Sequence, residues 1–158
     1  MNPGLIVVFI IGIAIIAVAV AIGQKRGKKL LAEGKIVKRQ GSFWEYSELF
    51  TTTATYEQIV NAVKQTDFSD CQATAEYYDA EKTILFKSSH AWNATVTFKG
   101  TSEGKNQLDF RFSAYRTRKG IPYRVDTMNI METAIEKIVL SIDSQTTVES
   151  HRMKLTVK

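Results

Sequence analysis

A single cysteine, Cys71, stands in the 158 residues. No disulfide can form within the chain, and the usage fits a reducing compartment. Histidine is nearly as scarce. His90 and His151 are the only two, and neither is grouped with other ligands at the helical or knuckle spacing of a metal site. No metal, haem or other cofactor is therefore expected. The phosphate-cradling strings Gly-x-x-x-x-Gly-Lys and Gly-x-Gly-x-x-Gly are missing, so nucleotide binding by those devices is unsupported. Ser88-Ser89-His90 reads as a polar turn between strands, since neighbours in sequence need not face each other in space. Cys71, alone and on the apolar side of its segment, reads as a core thiol and not as a reactive one. No catalytic residue is assigned. Internal repeats and low-complexity tracts are also lacking.

Positive charge is unevenly spread. The net charge of +5 invites a nucleic-acid reading. However, seven bases and one acid (Glu33) fall within one short stretch: Lys25, Arg26, Lys28, Lys29, Lys35, Lys38 and Arg39. From Ser42 to Lys158, fourteen bases face fifteen acids, leaving −1. The basic character belongs to the flank of the N-terminal segment, not to the following domain. No basic face, and so no nucleic-acid partner, is expected of that domain.

The N-terminal segment has no polar side chain from Leu5 to Ile22. As a helix this run rises about 27 Å, close to the hydrocarbon thickness of about 30 Å. It is expected to be one transmembrane span, because a lone segment in lipid must satisfy its own backbone. Ala19-Val20-Ala21 has the small-x-small form of a signal cleavage site. The leader Met1-Asn2-Pro3 carries no base, though, and the apolar run is long, so an uncleaved signal anchor is expected. Bases follow the span and none precedes it. The positive-inside rule then puts the N-terminus outside and the domain in the cytoplasm. The basic flank fits a topology determinant and a contact with anionic headgroups. Ala17 and Ala21 form a weak small-xxx-small pair for helix pairing. The sequon Asn93-Ala94-Thr95 falls inside an expected strand and reads as chance.

Beyond a linker at residues 25–41, the pattern predicts an α+β domain at 42–143. Phe43 to Thr53 is a strand. Thr55-Tyr-Glu-Gln58 is a capping box opening a helix that ends near Gln65 to Asp67. Four strands follow: Cys71–Tyr78, Thr83–Ser88, Trp92–Lys99 and Leu108–Thr117. The last two alternate well, with Trp92, Ala94, Val96 and Phe98 inward on one, and Leu108, Phe110, Phe112 and Ala114 inward on the other. Gly120-Ile-Pro122 breaks the pattern. Asp126 then caps a helix from Val125 to Ser141, with Met131, Ala134, Ile135, Ile138, Val139 and Ile142 on one face. The tail, 144–158, is an edge strand or free. The expected architecture is a two-layer sandwich: an antiparallel sheet of about five strands with two helices on one face, in β-α-β-β-β-β-α order.

In element order, Phe43 to Asp143 resembles a trimmed helix-grip domain, the architecture of START-like and Bet v 1-like ligand carriers. A ferredoxin-like or TATA-binding-protein-like sheet has much the same order, and the resemblance brings no site residues with it. Arg116, Arg118, Lys119 and Arg124 cluster where the last strand meets the last helix, with Tyr115 and Tyr123 nearby. They are the candidate contact for headgroups or an acidic partner. The expected function is a membrane-anchored, non-catalytic interaction or scaffold module whose partners are the lipid bilayer and a membrane or cytoplasmic protein. The alternative is a helix-grip-like carrier holding a lipid or other apolar ligand between sheet and C-terminal helix.

Overall fold

A computed structural model describes residues 24–89 and 91–153 of the chain. The expected span Leu5–Ile22 and His90 lie outside the described residues. Among the described residues no helix is long and apolar enough to cross a membrane. The chain divides into two compact units, Met1–Val37 and Lys38–Lys158.

In the first unit, residues 24–32 are helical (α1). This helix stops because Gly34 takes a left-handed conformation, with φ of 64°. Its N–H donates to Leu31 O at 3.0 Å, and the N–H of Lys35 donates to Leu30 O at 2.8 Å. The pair of bonds is a Schellman ending, which glycine permits without a Cβ clash. Glu33 faces Lys29 at 3.8 Å and Lys35 at 3.9 Å.

The second unit is the α+β domain. A 3-10 turn (Phe43–Glu45) leads into β1 (Tyr46–Thr52), then α2 (Tyr56–Gln65), a second 3-10 turn (Ser69–Cys71), β2 (Ala73–Tyr78), β3 (Thr83–Ser88), β4 (Trp92–Ser102) and β5 (Lys105–Tyr115). A small hairpin, β6 (Thr117–Arg118) with β7 (Ile121–Pro122), precedes α3 (Val125–Ile142) and β8 (Thr147–Arg152). The main sheet has six antiparallel strands in the order β2-β3-β4-β5-β1-β8. The sixth is the tail, which pairs with the free edge of β1 through Thr51–Thr147 to Tyr46–Arg152. All six residues of β8 are exposed, so it is held by its ladder and not by an apolar face. That is why periodicity alone left it open.

Local sequence explains the start of α2. Thr55 Oγ1 accepts from Gln58 N at 3.3 Å, and Gln58 Oε1 accepts from Thr55 N at 2.8 Å, closing the capping box. Ile59, Val60 and Val63 then turn inward. Inward strand positions meet them and α3: Phe50, Ile84, Phe86, Ala94, Val96, Leu108, Phe110 and Phe112 are buried, with Met128, Met131, Ile135 and Val139 from α3. Each large apolar side chain buried this way contributes about 1.5–3 kcal/mol before entropy is counted. The opposite sheet face is polar, with Thr83 and Thr97 joined through their hydroxyls at 3.2 Å and Asp109 between Lys99 and Arg111.

Three expectations fail locally. Ala114 is exposed, not inward. On β4 the step is Asn93 to Ala94, but on β5 it is Ala114 to Phe112, so Ser113 is an extra residue that reverses the alternation beyond it. The strand expected to reach Thr117 is interrupted at Arg116, because Lys119 (φ 53°) and Gly120 (φ 79°) make a primed turn that starts a separate hairpin. Finally, Asp126 does not cap α3. The cap position is Arg124, with φ of 62° and no side-chain cap bond, and Asp126 sits in the first turn. There its charge favours the helix dipole.

Candidate functional site

Two groups of polar side chains stand out, one enclosed and one open. The enclosed group is built from β1, α3 and the first residues of the domain. Glu48 has the same parity along β1 as Phe50 and Thr52, so it points into the core. Glu132 and Glu136 lie one turn apart on α3. Arg39 meets all three. Its Nη1 lies 3.3 Å from Glu48 Oε1 and 3.1 Å from Glu132 Oε1. Nη1 and Nη2 donate to the two oxygens of Glu136 at 3.1 and 2.8 Å, a bidentate fork. Nη2 also donates to Thr133 Oγ1 and Nε to Asn129 Oδ1, each at 3.3 Å. The Phe43 ring covers the guanidinium at 5.8 Å. Only 9% of the Arg39 side chain is exposed.

One cation among three carboxyl groups leaves an excess of negative charge in a dry place, and a proton resolves it. Burial, reinforced by a hydrogen bond to Glu48 and that group's charge, pushes the Glu132 carboxyl up to about 10. Burial raises Glu48 as well, against the hydrogen bond it receives from Glu132. Glu132 therefore keeps the proton and donates it to Glu48. The Oε2 atom of each is buried with no hydrogen-bond partner among the described residues. For Arg39, burial favours the neutral form, but the Glu136 bond and the carboxylate charges win and raise it. The group acts as a clasp that ties the start of the domain to β1 and α3. Its reactive atoms are shut in, so it offers nothing to a substrate.

The open group lies at the Trp92 end of β4. The chain at Arg116 and at Tyr123 runs side by side: Tyr123 N donates to Arg116 O at 2.9 Å, and Arg116 N donates to Ala91 O at 3.0 Å. Trp92 Nε1 donates to Thr127 Oγ1 at 3.0 Å, which donates to Arg124 O at 2.8 Å. These bonds fix Arg116 and Arg124 around two adjoining hollows of about 550 and 590 Å³, which share Gln72, Ser88, Ser89, Ala91 and Arg116. Among the described residues no carboxylate lines either one. Arg124 Nη1 donates to Gln72 Oε1 at 3.2 Å, and its Nε lies 3.9 Å from Asp126. The guanidinium of Arg116 has no ion-pair partner among the described residues, nor have Arg118 and Lys119. The hairpin also carries Ile121, 60% exposed, and Tyr123 follows at 46%.

The cationic residues singled out by sequence thus separate. Arg116 and Arg124 line the hollows, while Arg118 and Lys119 sit on the exposed hairpin turn. In the basic flank, Lys25, Arg26, Lys28, Lys29 and Lys35 are exposed in the first unit, and Lys38 is exposed at the start of the second. Arg39 does not belong with them, because three carboxyl groups draw it into the domain. Those carboxyls were missed, although signals existed: Glu48 falls in the inward phase of β1, and Glu132 and Glu136 form an unfavourable like-charge i,i+4 pair unless a cation joins them. Gly100-Thr-Ser-Glu-Gly104 also has the spacing of a hydrolase nucleophile turn. It instead closes the β4–β5 hairpin, where Ser102 pairs with Lys105, and not a strand-to-helix turn.

No protein-family model matches the chain, and no curated protein matches it. Among solved structures, the open form of the exocytosis-sensitive phosphoprotein pp63/parafusin (phosphoglucomutase) from Paramecium is similar, with a TM-score of 0.38 and 10% sequence identity. The match covers 60% of this chain and 21% of that one, so this chain spans about a fifth of that protein's length. Nothing is transferred from it at that level.

Proposed function

We propose that this is a single-pass membrane protein whose cytoplasm-facing α+β domain is a non-catalytic interaction module that touches anionic headgroups. The uninterrupted apolar run Leu5–Ile22 and the bases that follow it support the anchor and its orientation. One observation carries the interaction surface. Arg116, Arg118 and Lys119, without ion-pair partners among the described residues, surround the exposed Ile121 and Tyr123 on one hairpin. Cations near an anionic leaflet contribute about 1 kcal/mol each, and tyrosine favours the headgroup level. A tether adds a high effective concentration, so weak docking suffices. Carriage of an apolar ligand under α3 has less support, since Met128, Met131 and Val139 are fully buried against the sheet.

Hydrogen exchange of the full chain in nanodiscs tests this. Amides 116–124 are expected to slow in discs containing phosphatidylglycerol relative to pure phosphatidylcholine, and the double substitution Arg118→Glu, Lys119→Glu is expected to abolish the difference. Equal exchange in both kinds of disc would refute the docking surface.

A further inference from the structure

We infer that the cleft framed by Arg116 and Arg124 is a binding site for a phosphate monoester. This deepens the contact with anionic groups proposed above and rests on that reading. Among the described residues the cleft is chemically one-sided: it has two guanidiniums, the Lys87 ammonium paired with Glu76, and several neutral donors, with no carboxylate in its lining. Arg116 lines both hollows and has no ion-pair partner among the described residues. Arg124 uses Nη1 on Gln72 Oε1, and this fixes Gln72 so that its amide N–H₂ is left to donate. Ser89 supplies a hydroxyl at the junction of the two hollows.

The donors select among anions. A terminal phosphate carries nearly two charges and three acceptor oxygens, which matches two arginines and a ring of neutral donors. A diester carries one charge and two free oxygens and would leave one arginine uncompensated. Asp126 lies 3.9 Å from Arg124 Nε, outside the lining, and with both side chains open to solvent it compensates that charge only weakly. The cleft is open on its outer side, where Tyr123 stands exposed, so the rest of the ligand leaves towards the hairpin. The same head chemistry occurs on a soluble organic phosphate and on phosphatidate in a bilayer.

Trp92 lines the cleft and reports on it once the other tryptophan is removed by Trp44→Phe. The full chain carrying that change, in phosphatidylcholine nanodiscs, is titrated with inorganic phosphate and with glycerol 3-phosphate. In parallel, discs containing phosphatidate are compared with phosphatidylglycerol discs at matched surface charge. A saturable change in Trp92 emission with the soluble probes assigns the site to a free phosphate. A larger change with phosphatidate than with phosphatidylglycerol assigns it to a lipid. In either case Arg116→Gln and Arg124→Gln are each expected to weaken the response about tenfold, while Lys105→Gln, at the far end of the β4–β5 hairpin, leaves it within twofold. Indifference to the soluble probes with equal responses to the two lipids overturns the site but leaves hairpin docking by charge alone intact. No response to any of the four overturns it as well, and the hydrogen-exchange comparison then judges the docking surface separately.

Discussion

Replacing Glu132 by glutamine isolates the proton in the Arg39 clasp. The Glu132 carboxyl stands at about 10 in the folded chain, against an ordinary 4.5. Between pH 5.5 and 8.5 the native domain therefore holds a proton that the unfolded chain has released. A raised value in the folded state means that stability is complete below the ordinary value and is lost as pH climbs towards the folded one. The slope is at most about 1.4 kcal/mol per pH unit for one proton. Across three units the ceiling is about 4 kcal/mol, a large part of the 5–15 kcal/mol that holds a typical domain. Glu48 and Arg39 interact with Glu132, so the slope belongs to the cluster. Glutamine keeps the shape and still donates an N–H to Glu48, but it has no proton to lose. Denaturant unfolding of the full chain in non-ionic micelles at pH 5.5, 7.0 and 8.5 is then expected to show Glu132→Gln gaining on the wild type as pH rises. Parallel stability profiles for the two proteins would refute the shared proton and leave Glu132 ionised beside Arg39.

Arg39→Met removes the cation from the same cluster and is expected to destabilise the domain by about 3–5 kcal/mol at pH 7.5. The loss should shrink at pH 5.5, where Glu48, its carboxyl raised by burial, takes up a proton more readily; the same unfolding series checks it. Asp143 accepts from Thr53 N at 2.7 Å and from Gln145 N at 2.9 Å, and these backbone bonds hold its carboxyl down to about 2. A depressed carboxylate stabilises above its ordinary value and loses that contribution as pH falls, so Asp143→Asn should flatten acid unfolding between pH 4 and pH 2, followed by circular dichroism. For topology, a cysteine placed at Asn2 should react with an impermeant thiol reagent on intact cells. Cys71, buried and with its thiol pushed up to about 12 by burial, should react only after lysis and denaturation; labelling of native Cys71 from outside would reverse the assigned orientation.

What could be read from the sequence is what depends on neighbours along the chain. The Thr55–Gln58 capping box, the alternation of Trp92 to Val96 and Leu108 to Phe112, and the apolar stripe of α3 are all local patterns, and each reappears. Failures occur where a position is set by a distant partner or by one inserted residue. Ser113 reverses the face of Ala114, and β8 exists only because β1 has a free edge. The clasp divides between the two cases. Glu48 in the inward phase of β1, with Glu132 and Glu136 on successive turns of α3, sends three carboxyl groups towards one core. Such an arrangement needs a buried cation and a retained proton whatever the fold, because unpaired charges there would cost several kcal/mol each. That demand is written in the local pattern. Its supplier is not, because Arg39 lies in a run of bases whose other members are exposed, and nothing adjacent marks it as different. Charge counted by proximity in sequence therefore overstates the basic flank by one residue and hides the ion cluster that closes the start of the domain.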